Sequence, residues 1–497
     1  MSLEKITKNI IETDMLVIGG GIGGSLAAAR AAEQGLNVTL LEKSKTARSG
    51  NAGQGLDHMG TIPNQGISTL ELVKRYEYYT SIMNGEGRFA DANICYKIWD
   101  SANETKGFWM LEELERYGVP AKWHDGKYYF IPTYWFQGLP VQLRVHWRNV
   151  KPGLATLVKK QGVNVLDRTM AVDLLTNNGA VVGATALNIR TGEFFVIKAR
   201  ATLIATGLTA RLYDGEQPLF GKYKYAYHWQ PAGISGDGWA AAYRGGANLA
   251  NMDLSGWHFR TRDHLAISYG NFGINEGIPA HYLTAQGEEL ATIFGATMYD
   301  EMERQGKTPL YRSLELLPDD FQKRREVAIV DEKMVSFKIS EDRGFNPRTH
   351  RYEFMLNKPH NMVGITGVHI GEDFDASLKG LYCVGDAAAG LQSSMDAASS
   401  GLLCADSIRS YVNGAPEPVI DEGQVESQMQ VAMAPLNTKD GTDPIELEYS
   451  IRHLCEIYIG QFKSQGKLNE GMSRLNWMKR EHLPKLMANH ICVLCAL

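Results

Sequence analysis

Three glycines near the start of the chain, Gly19, Gly21 and Gly24, follow the apolar run Met15–Ile18 at the spacing G-x-G-x-x-G. Glycine at these positions permits a tight turn, a close approach of the backbone to a pyrophosphate and close packing of the next helix. The alanine-rich run Ser25–Gln34 predicts that helix. Its N-terminal N–H groups and positive dipole end would face the phosphates.

A second apolar run, Asn37–Leu41, ends at Glu42, about 20 residues beyond the glycines, where an acid can hold a ribose hydroxyl. The segment Lys43–Leu56 is rich in Ser, Gly and Asn and can wrap a ligand with backbone donors. The strand, helix, second strand and acid together predict a dinucleotide site. The alternative is a glycine-rich turn that binds no ligand.

Two further strand ends indicate FAD rather than NAD. Ala205–Gly207 and Gly380–Asp386 each close an apolar run far from the first glycines in the sequence. With the first glycines they make three separated loops, and a cofactor that contacts all three must be longer than one that a single strand–helix–strand unit binds. In flavoproteins a late Gly-Asp places a carboxylate on the ribityl chain, a role that falls here to Asp386. We expect the turn Ser399–Gly401 to aim the next helix at the flavin pyrimidine, where negative charge develops on reduction.

Composition excludes several classes of protein. The 497 residues carry a net charge of −5, which gives no indication of nucleic-acid binding. No apolar run approaches the roughly 18 residues of a membrane helix, and no signal peptide precedes the first strand, so we expect a cytoplasmic location. The six cysteines are scattered and predict no disulfide framework. Cys492 and Cys495 form a C-x-x-C that we interpret as two buried helix cysteines, with a redox-active pair or a metal half-site as the alternative. An iron–sulfur cluster that exchanges electrons with this chain would therefore belong to another chain.

The chain is long enough for two or three domains, and its residue composition and strand–helix pattern change along the sequence. Asn178-Gly179 and Thr191-Gly192 separate three β-prone runs and predict a meander that leads into a buried strand at Ala201–Ala205. The stretch after Asn251 is rich in charge and aromatics and lacks the alternation of strand and helix, so it predicts an inserted domain. The last apolar run, Lys485–Leu497, predicts a helix without a cap, which either packs inward or continues in a longer natural chain.

The motif order resembles the fumarate reductase/succinate dehydrogenase flavoprotein family over nearly the whole chain. The motifs are V-I-G-G-G-I-G-G, L-L-E-K, R-S-G-N-A-G-Q-G, L-I-A-T-G, S-G-D-G-W-A-A-A-Y-R-G-G-A and G-L-Y-C-V-G-D. Within that family the chain is most similar to the adenylylsulfate reductase α subunits. Membrane succinate dehydrogenases carry a flavin-bonding histidine after Arg-Ser, where this chain has Gly50, so the resemblance implies non-covalent FAD.

The resemblance implies an α/β fold: an FAD-binding Rossmann-like domain of the GR2 type with a β-meander, an inserted α+β capping domain and a helical C-terminal segment. We expect the FAD-binding domain at 1–252 and 356–420, the capping or substrate domain at 253–355, and the helical region, truncated or complete, at 425–497. The predicted cofactor-binding residues are Gly19, Gly21, Gly24, Glu42, Lys43, Ser49, Gly50, Asn51, Gln54, Gly55, Ala171, Thr206, Gly207, Asp237, Gly385, Asp386, Ser400 and Leu402.

Substrates of this family are anionic, and arginine can hold a carboxylate, phosphate or sulfate by two parallel hydrogen bonds. The segment Trp257–His264 concentrates arginine and histidine where the FAD domain meets the insert. Arg260 and His258 match substrate-side positions of the family, and His360 lies in a segment similar to its substrate-binding H-x-x-M-G-G. The alternative for Arg260 and His258 is a solvated polar loop. His146 and Arg148 are weaker candidates for the same pocket.

Part of each substrate signature is missing. Fumarate reductases use an arginine in an Arg-Asp context as proton donor, and Arg304 and Arg312 fit that role poorly. Adenylylsulfate reductases carry an asparagine where this chain has Gly60. We therefore expect a two-electron oxidoreductase of a small anionic substrate, working with an iron–sulfur, ferredoxin-like partner. The alternatives are a stand-alone fumarate/enoate-type reductase or succinate-type dehydrogenase, and a non-catalytic FAD electron-transfer subunit.

Overall fold

The computed structural model describes residues 8–56, 58–83, 89–133, 139–209, 211–213, 233–254, 258–261, 281–290, 301–313, 351–357, 366–391, 393–460 and 463–490, with the single positions 231, 315, 319, 342, 344 and 349. Its strands are β1 Lys8–Ile18, β2 Val38–Glu42, β3 His58–Met59, β4 Tyr129–Thr133, β5 Leu139–Arg144, β6 Asn164–Asp167, β7 Thr169–Asn177, β8 Ala180–Asn188, β9 Phe194–Ile204, β10 Leu249–Ala250, β11 His258–Thr261, β12 His281–Leu283, β13 Glu289–Leu290, β14 Leu310–Ser313, β15 Arg351–Asn357, β16 Gly367–Val368 and β17 Leu381–Cys383. Its α-helices are α1 Ile22–Glu33, α2 Thr69–Met83, α3 Ala92–Asp100, α4 Trp109–Arg116, α5 Val150–Lys160, α6 Asp237–Gly245, α7 Ser394–Val412, α8 Glu422–Asn437, α9 Pro444–Ile459 and α10 Gln465–Glu481.

The central sheet has the strand order β6–β2–β1–β9–β8–β7, and β17 also pairs with β9. Strands β6, β2, β1, β9 and β17 run parallel to one another. The outer half of β1 alternates between partly buried and exposed residues, whereas Met15–Ile18 is continuously buried. Continuous burial is typical of a parallel strand with both faces covered, and it places the carboxyl end of β1 in the core of the domain.

The predicted meander is confirmed, because β7, β8 and β9 pair antiparallel in sequence order. The prediction of two separate strands at Phe194–Lys198 and Ala201–Ala205 is wrong, because a single strand, β9, spans Phe194–Ile204. The first half of β9 pairs with β8 and its last residues, Thr202–Ile204, pair with β17. One long strand therefore joins the meander to the parallel sheet.

Helices α1 and α7 cross at glycines. A Cβ on Gly401 would lie 2.4 Å from the Gly23 carbonyl oxygen, and a Cβ on Gly23 would lie 2.9 Å from the Ala397 carbonyl oxygen. Neither distance is compatible with a larger side chain, so the two backbones meet directly. This contact fixes the start of α1 against the start of α7.

The chain between β10 and β16 contributes a separate antiparallel sheet with the order β11–β15–β14–β12–β13. A three-stranded antiparallel sheet, β3–β5–β4, is formed by strands that lie between α1 and α5 in the sequence. The predicted domain boundaries at 252, 355 and 420 stay a prediction.

Helix α8, the first of the C-terminal helices, packs on the meander. Val425, Met429 and Met433 of α8 form a small core with Leu175 and Phe194, apart from the main core. The helix predicted from Lys485 is wrong over its described part: a 3₁₀ turn ends at Lys485, Leu486 bridges to Thr442, and residues 486–490 are not helical. Residues 491–497, which include Cys492 and Cys495, lie outside the described residues. In the part of the chain that the structure describes, no helix is long and apolar enough to cross a membrane.

Candidate cofactor-binding site

A cavity of about 420 Å³ lies where the ends of β1, β2, β9 and β17 meet the starts of α1, α6 and α7. Most of the predicted cofactor-binding residues line it: Gly19, Gly21, Glu42, Lys43, Ser49, Gly50, Asn51, Gly55, Ala171, Thr206, Gly207, Asp237, Gly385 and Asp386. Gly24, Ser400 and Leu402 do not line it, and Gln54 closes the 3₁₀ turn Asn51–Gln54.

The first glycines differ in what they do. Gly19 has φ 107°, and a Cβ there would lie 2.4 Å from the Ala205 carbonyl oxygen. A Cβ on Gly24 would lie 2.0 Å from the Gly19 carbonyl oxygen, so this glycine serves helix packing. Gly21 caps α1 without a side-chain hydrogen bond, and the first turn contains no acidic residue. Since Gly21, Ile22 and Gly23 line the cavity, the positive end of α1 is open to an anion.

Glu42 ends β2 and is nearly buried. Its carboxylate accepts hydrogen bonds from the N–H of Gly20 at 2.9 Å and the N–H of Ser44 at 2.7 Å. The Glu42 carboxylate therefore connects the glycine loop, residues 19–24, to the segment that begins after β2. Glu42 also lines the cavity, and each of its carboxylate oxygens can accept a further hydrogen bond, as from a ligand hydroxyl.

Lys43 and Asp237 form an ion pair across the cavity wall. The Lys43 ammonium also donates to the Ser235 hydroxyl at 2.7 Å. Asp237 is the first residue of α6, so this pair joins the end of β2 to the start of α6. Two positions that are far apart in sequence are thereby held on the same side of the site.

Four buried oxygens at the cavity have no hydrogen-bond partner among the described residues. They belong to Ser49, Asn51, Gln142 and Thr206. A buried polar atom without a partner costs free energy, so these atoms fit a ligand rich in hydroxyl and N–H groups. Gly50, with φ 72°, lies between two of them and offers no side chain for a covalent bond.

Asp386 faces the cavity from the loop after β17. The pKa of Asp386 is raised to about 7, first by burial and then by the nearby Asp396 carboxylate, and a hydrogen bond from Asn51 opposes the rise. Asp396 itself accepts from the Trp99 indole N–H at 3.1 Å. The site therefore holds a carboxyl that changes its charge near neutral pH.

The predicted turn at Ser399–Gly401 is wrong, because all three residues lie inside α7. The helix starts five residues earlier, where Ser393 and Asp396 cap it reciprocally. Ser400 is buried, and its hydroxyl accepts from the Gly385 N–H at 3.1 Å. It thus supports the loop that carries Asp386, and the cavity is faced instead by Ser393, Ser394 and Ala397.

The sequence did not identify several wall residues. His58 and Gln142 line the cavity from the β3–β5–β4 sheet, Thr61 from the segment after β3, and Tyr76 and Trp99 from α2 and α3. Their places depend on strand pairing and helix packing that no local pattern encodes.

Two weaker candidates lie elsewhere. His146 packs its ring 3.7 Å from that of Trp123, and Arg148 is exposed. Neither residue lines the cavity.

The predicted substrate-side residues are only partly described. His258 and Arg260 are two positions apart in β11, where they pair with Asn357 and Met355 of β15. His360 lies outside the described residues, as do Arg262 and His264, the other arginine and histidine of the segment Trp257–His264.

Comparisons with known proteins place the chain in a family. The family model described as FAD binding domain matches residues 14–402. An uncharacterised FAD-dependent oxidoreductase of Methanocaldococcus jannaschii is 22% identical over 95% of this chain and 85% of its own length. The fumarate reductase (CoM/CoB) of Methanothermobacter marburgensis has a subunit that is 23% identical over 77% of this chain and 68% of its own length.

The fold is also shared with a solved structure. Adenylylsulfate reductase of Archaeoglobus fulgidus superposes with a TM-score of 0.80 at 22% identity, covering 99% of this chain and 87% of the other. The predicted fold and the predicted cofactor, FAD, are confirmed. The chain belongs to the FAD binding domain family and is an FAD-dependent oxidoreductase with the fold of the adenylylsulfate and fumarate reductase flavoproteins.

Proposed function

We propose that this chain exchanges two electrons with a small anionic substrate that Arg260, His258 and His360 hold. The observation that carries the proposal is the pairing of β11 with β15, which sets His258 opposite Asn357. His360 follows Asn357 by three positions in the sequence, and this short separation supports grouping it with His258 and Arg260 in the proposal.

The proposed residues suit an anion. The Arg260 guanidinium keeps its charge at all working pH values and can bind a carboxylate, sulfate or phosphate in a bidentate way. Histidine is the side chain that ordinarily gains or loses a proton near neutral pH, which suits a site that must protonate its substrate. FAD, when bound, supplies the two-electron chemistry, so the protein's task is to bind, orient and protonate.

Our proposed contacts to FAD are five side chains of the cavity wall: Glu42, Ser49, Asn51, Thr206 and Asp386. Their unpartnered oxygens and carboxylates face the same cavity as the start of α1. Gly50 in this wall supports non-covalent binding.

An anaerobic substrate screen tests the proposal. The holoprotein is mixed with anions that include adenylylsulfate, sulfite with AMP, fumarate, other enoates and succinate, and the flavin absorbance is followed. We expect one of these anions to change the flavin spectrum and Arg260→Ala to slow that change about 100-fold or more, as losing a bidentate charged contact does.

The matched control is Arg304→Ala, an exposed arginine that pairs with Glu301. It should leave the rate unchanged. If Arg260→Ala retains FAD and the full rate, the substrate site is wrongly assigned. If no anion acts while a reduced carrier protein reduces the flavin, the chain is an electron-transfer subunit.

We further propose an iron–sulfur, ferredoxin-like protein as redox partner. The similar fumarate reductase chain is by name one subunit of its enzyme, which supports a partner for this chain as well. Copurification of a brown iron–sulfur protein with the yellow chain from its native source supports the partner. A chain that is isolated alone and is active with a small carrier supports the stand-alone reductase. A cytoplasmic location stays a prediction that cell fractionation tests.

A further inference from the structure

A lysine lies buried behind the glycine loop. Lys151 is the second residue of α5 and only 1% exposed. Its ammonium donates a hydrogen bond to the carbonyl oxygen of Gly20, which also accepts from the Ser25 hydroxyl at 3.1 Å. Gly20 lies between Gly19 and Gly21, which both line the cavity, whereas Lys151 does not line it, so the ammonium contacts the loop from outside the cavity.

Burying this ammonium is costly. Burial lowers the pKa of Lys151 to about 8, while the carboxylates of Glu42 and Asp167 raise it. Both carboxylates already accept backbone N–H groups, Glu42 from Gly20 and Ser44 and Asp167 from Thr46. Lys151 also lies in the first turn of α5, where the positive end of the helix dipole disfavours a cation.

The peptide group between Gly20 and Gly21 connects this charge to the cavity. In a trans peptide the C=O and the N–H point in opposite directions. When the Gly20 carbonyl is held by Lys151, the Gly21 N–H points away from the lysine. Because Gly21 lines the cavity, a cation on the carbonyl side orients and polarises a donor on the cavity side.

We propose that Lys151 is a counter-charge for the FAD diphosphate that acts through the Gly20–Gly21 peptide. It is a positioning residue, because it contacts the loop and does not line the cavity. The diphosphate supplies the negative charge that compensates the buried ammonium, and the ammonium holds the loop ready for it. FAD affinity therefore depends on the charge of this side chain.

The test is FAD binding to apoprotein, measured by fluorescence titration from about pH 7 to about pH 9.5, for wild type, Lys151→Met, Lys151→Arg and Lys159→Met. Lys159 is an exposed lysine of the same helix and serves as the control. We expect Lys151→Met to weaken FAD binding about 10- to 100-fold at pH 7, the range for loss of a charged hydrogen bond. Lys159→Met should bind like wild type.

The pH dependence of FAD affinity distinguishes an effect of the Lys151 charge from an effect of its packing. Wild-type affinity should fall as pH rises through about 8, because the lysine loses its proton in the apoprotein. The profile of Lys151→Met should lose this step, and that of Lys151→Arg should also stay flat because a guanidinium keeps its proton. A merely structural role would lower affinity equally at every pH.

The proposal is overturned if Lys151→Met binds FAD like wild type, or if either Lys151 variant keeps the wild-type pH step. If Lys151→Met does not fold, the comparison of wild type with Lys151→Arg decides alone. The measurement involves no substrate, so its failure leaves the assignment of Arg260, His258 and His360 untouched.

Discussion

The Asp386 carboxyl links protonation to stability at the level of a single residue. Its pKa is raised from 3.8 to about 7 in the folded protein, chiefly by burial. An acid with a raised pKa favours the folded state when protonated, so its contribution is complete below pH 3.8 and is lost as the pH rises to about 7. Apoprotein of Asp386→Asn should therefore lose less thermal stability than wild type over this range, as followed by circular dichroism melting.

The control for that variant is Asp373→Asn, an exposed carboxylate outside the cavity. Its pH profile should follow that of wild type. Parallel profiles for wild type and Asp386→Asn would show that Asp386 ionises normally in the fold.

Removal of the Thr206 hydroxyl should affect FAD binding but not the stability of the apoprotein. Its oxygen is buried at the cavity and has no partner among the described residues, so Thr206→Val removes no hydrogen bond from the apoprotein. We expect little loss of apoprotein stability but FAD binding weakened about 2- to 10-fold, equivalent to about 0.5–1.5 kcal/mol. Calorimetric titration with FAD measures this.

Thr202→Val is a matched control because the Thr202 hydroxyl is likewise buried and, among the described residues, unpartnered, but does not line the cavity. It should leave FAD affinity unchanged. Equal losses in both variants would mean that Thr206 has no special relation to the cofactor.

At the scale of elements, the crossing of α1 and α7 holds the site together. Gly401→Ala would place a Cβ 2.4 Å from the Gly23 carbonyl oxygen and force the helices apart. We expect a loss of about 1–3 kcal/mol in the free energy of unfolding. FAD binding should weaken as well, since the starts of both helices line the cavity.

Gly153→Ala supplies the comparison for this change. Gly153 lies in α5, and no heavy atom is within 4 Å of a Cβ there. Alanine favours helix over glycine by up to about 1 kcal/mol, so denaturant unfolding should show unchanged or higher stability. If Gly401→Ala is as stable as Gly153→Ala, the close crossing does not constrain the fold.

Local patterns explain which elements the sequence predicted. The glycine loop and the turns at Asn178-Gly179 and Thr191-Gly192 follow from backbone conformation alone, and the structure has φ 75° and 77° at Gly179 and Gly192. The start of α7 was misplaced although Ser393 and Asp396 carry a capping signal. The continuity of β9 could not be predicted, because it depends on which strands pair with each half.

At the scale of the whole molecule, α8 secures the C-terminal helices to the meander. Met429→Ala would open a void in the core shared with Leu175 and Phe194 and should cost about 2–5 kcal/mol. Because this core lies apart from the cavity, FAD affinity should change little. Val431→Ala, at an exposed position of the same helix, should be neutral in the same unfolding assay. Unaltered stability in Met429→Ala would show that α8 contributes little to the fold.

Long-range contacts set the limit of what the sequence predicts about the site. The residues at strand ends and in the glycine loop line the cavity, because parallel strands bring their carboxyl ends together. Lys151 and Gln142 were missed because their roles arise from contacts with distant parts of the chain: the Lys151 hydrogen bond to Gly20 spans 131 residues. No spacing within α5 or β5 distinguishes these two side chains from ordinary core positions.

The central claim is that this cavity holds one FAD without a covalent bond. Acid precipitation of the purified protein, followed by chromatography of the supernatant, measures it directly. We predict that an equimolar amount of intact FAD appears in the supernatant and that the pellet is colourless. A yellow pellet with flavin attached to the polypeptide, or a protein that neither contains nor takes up FAD, would contradict the account.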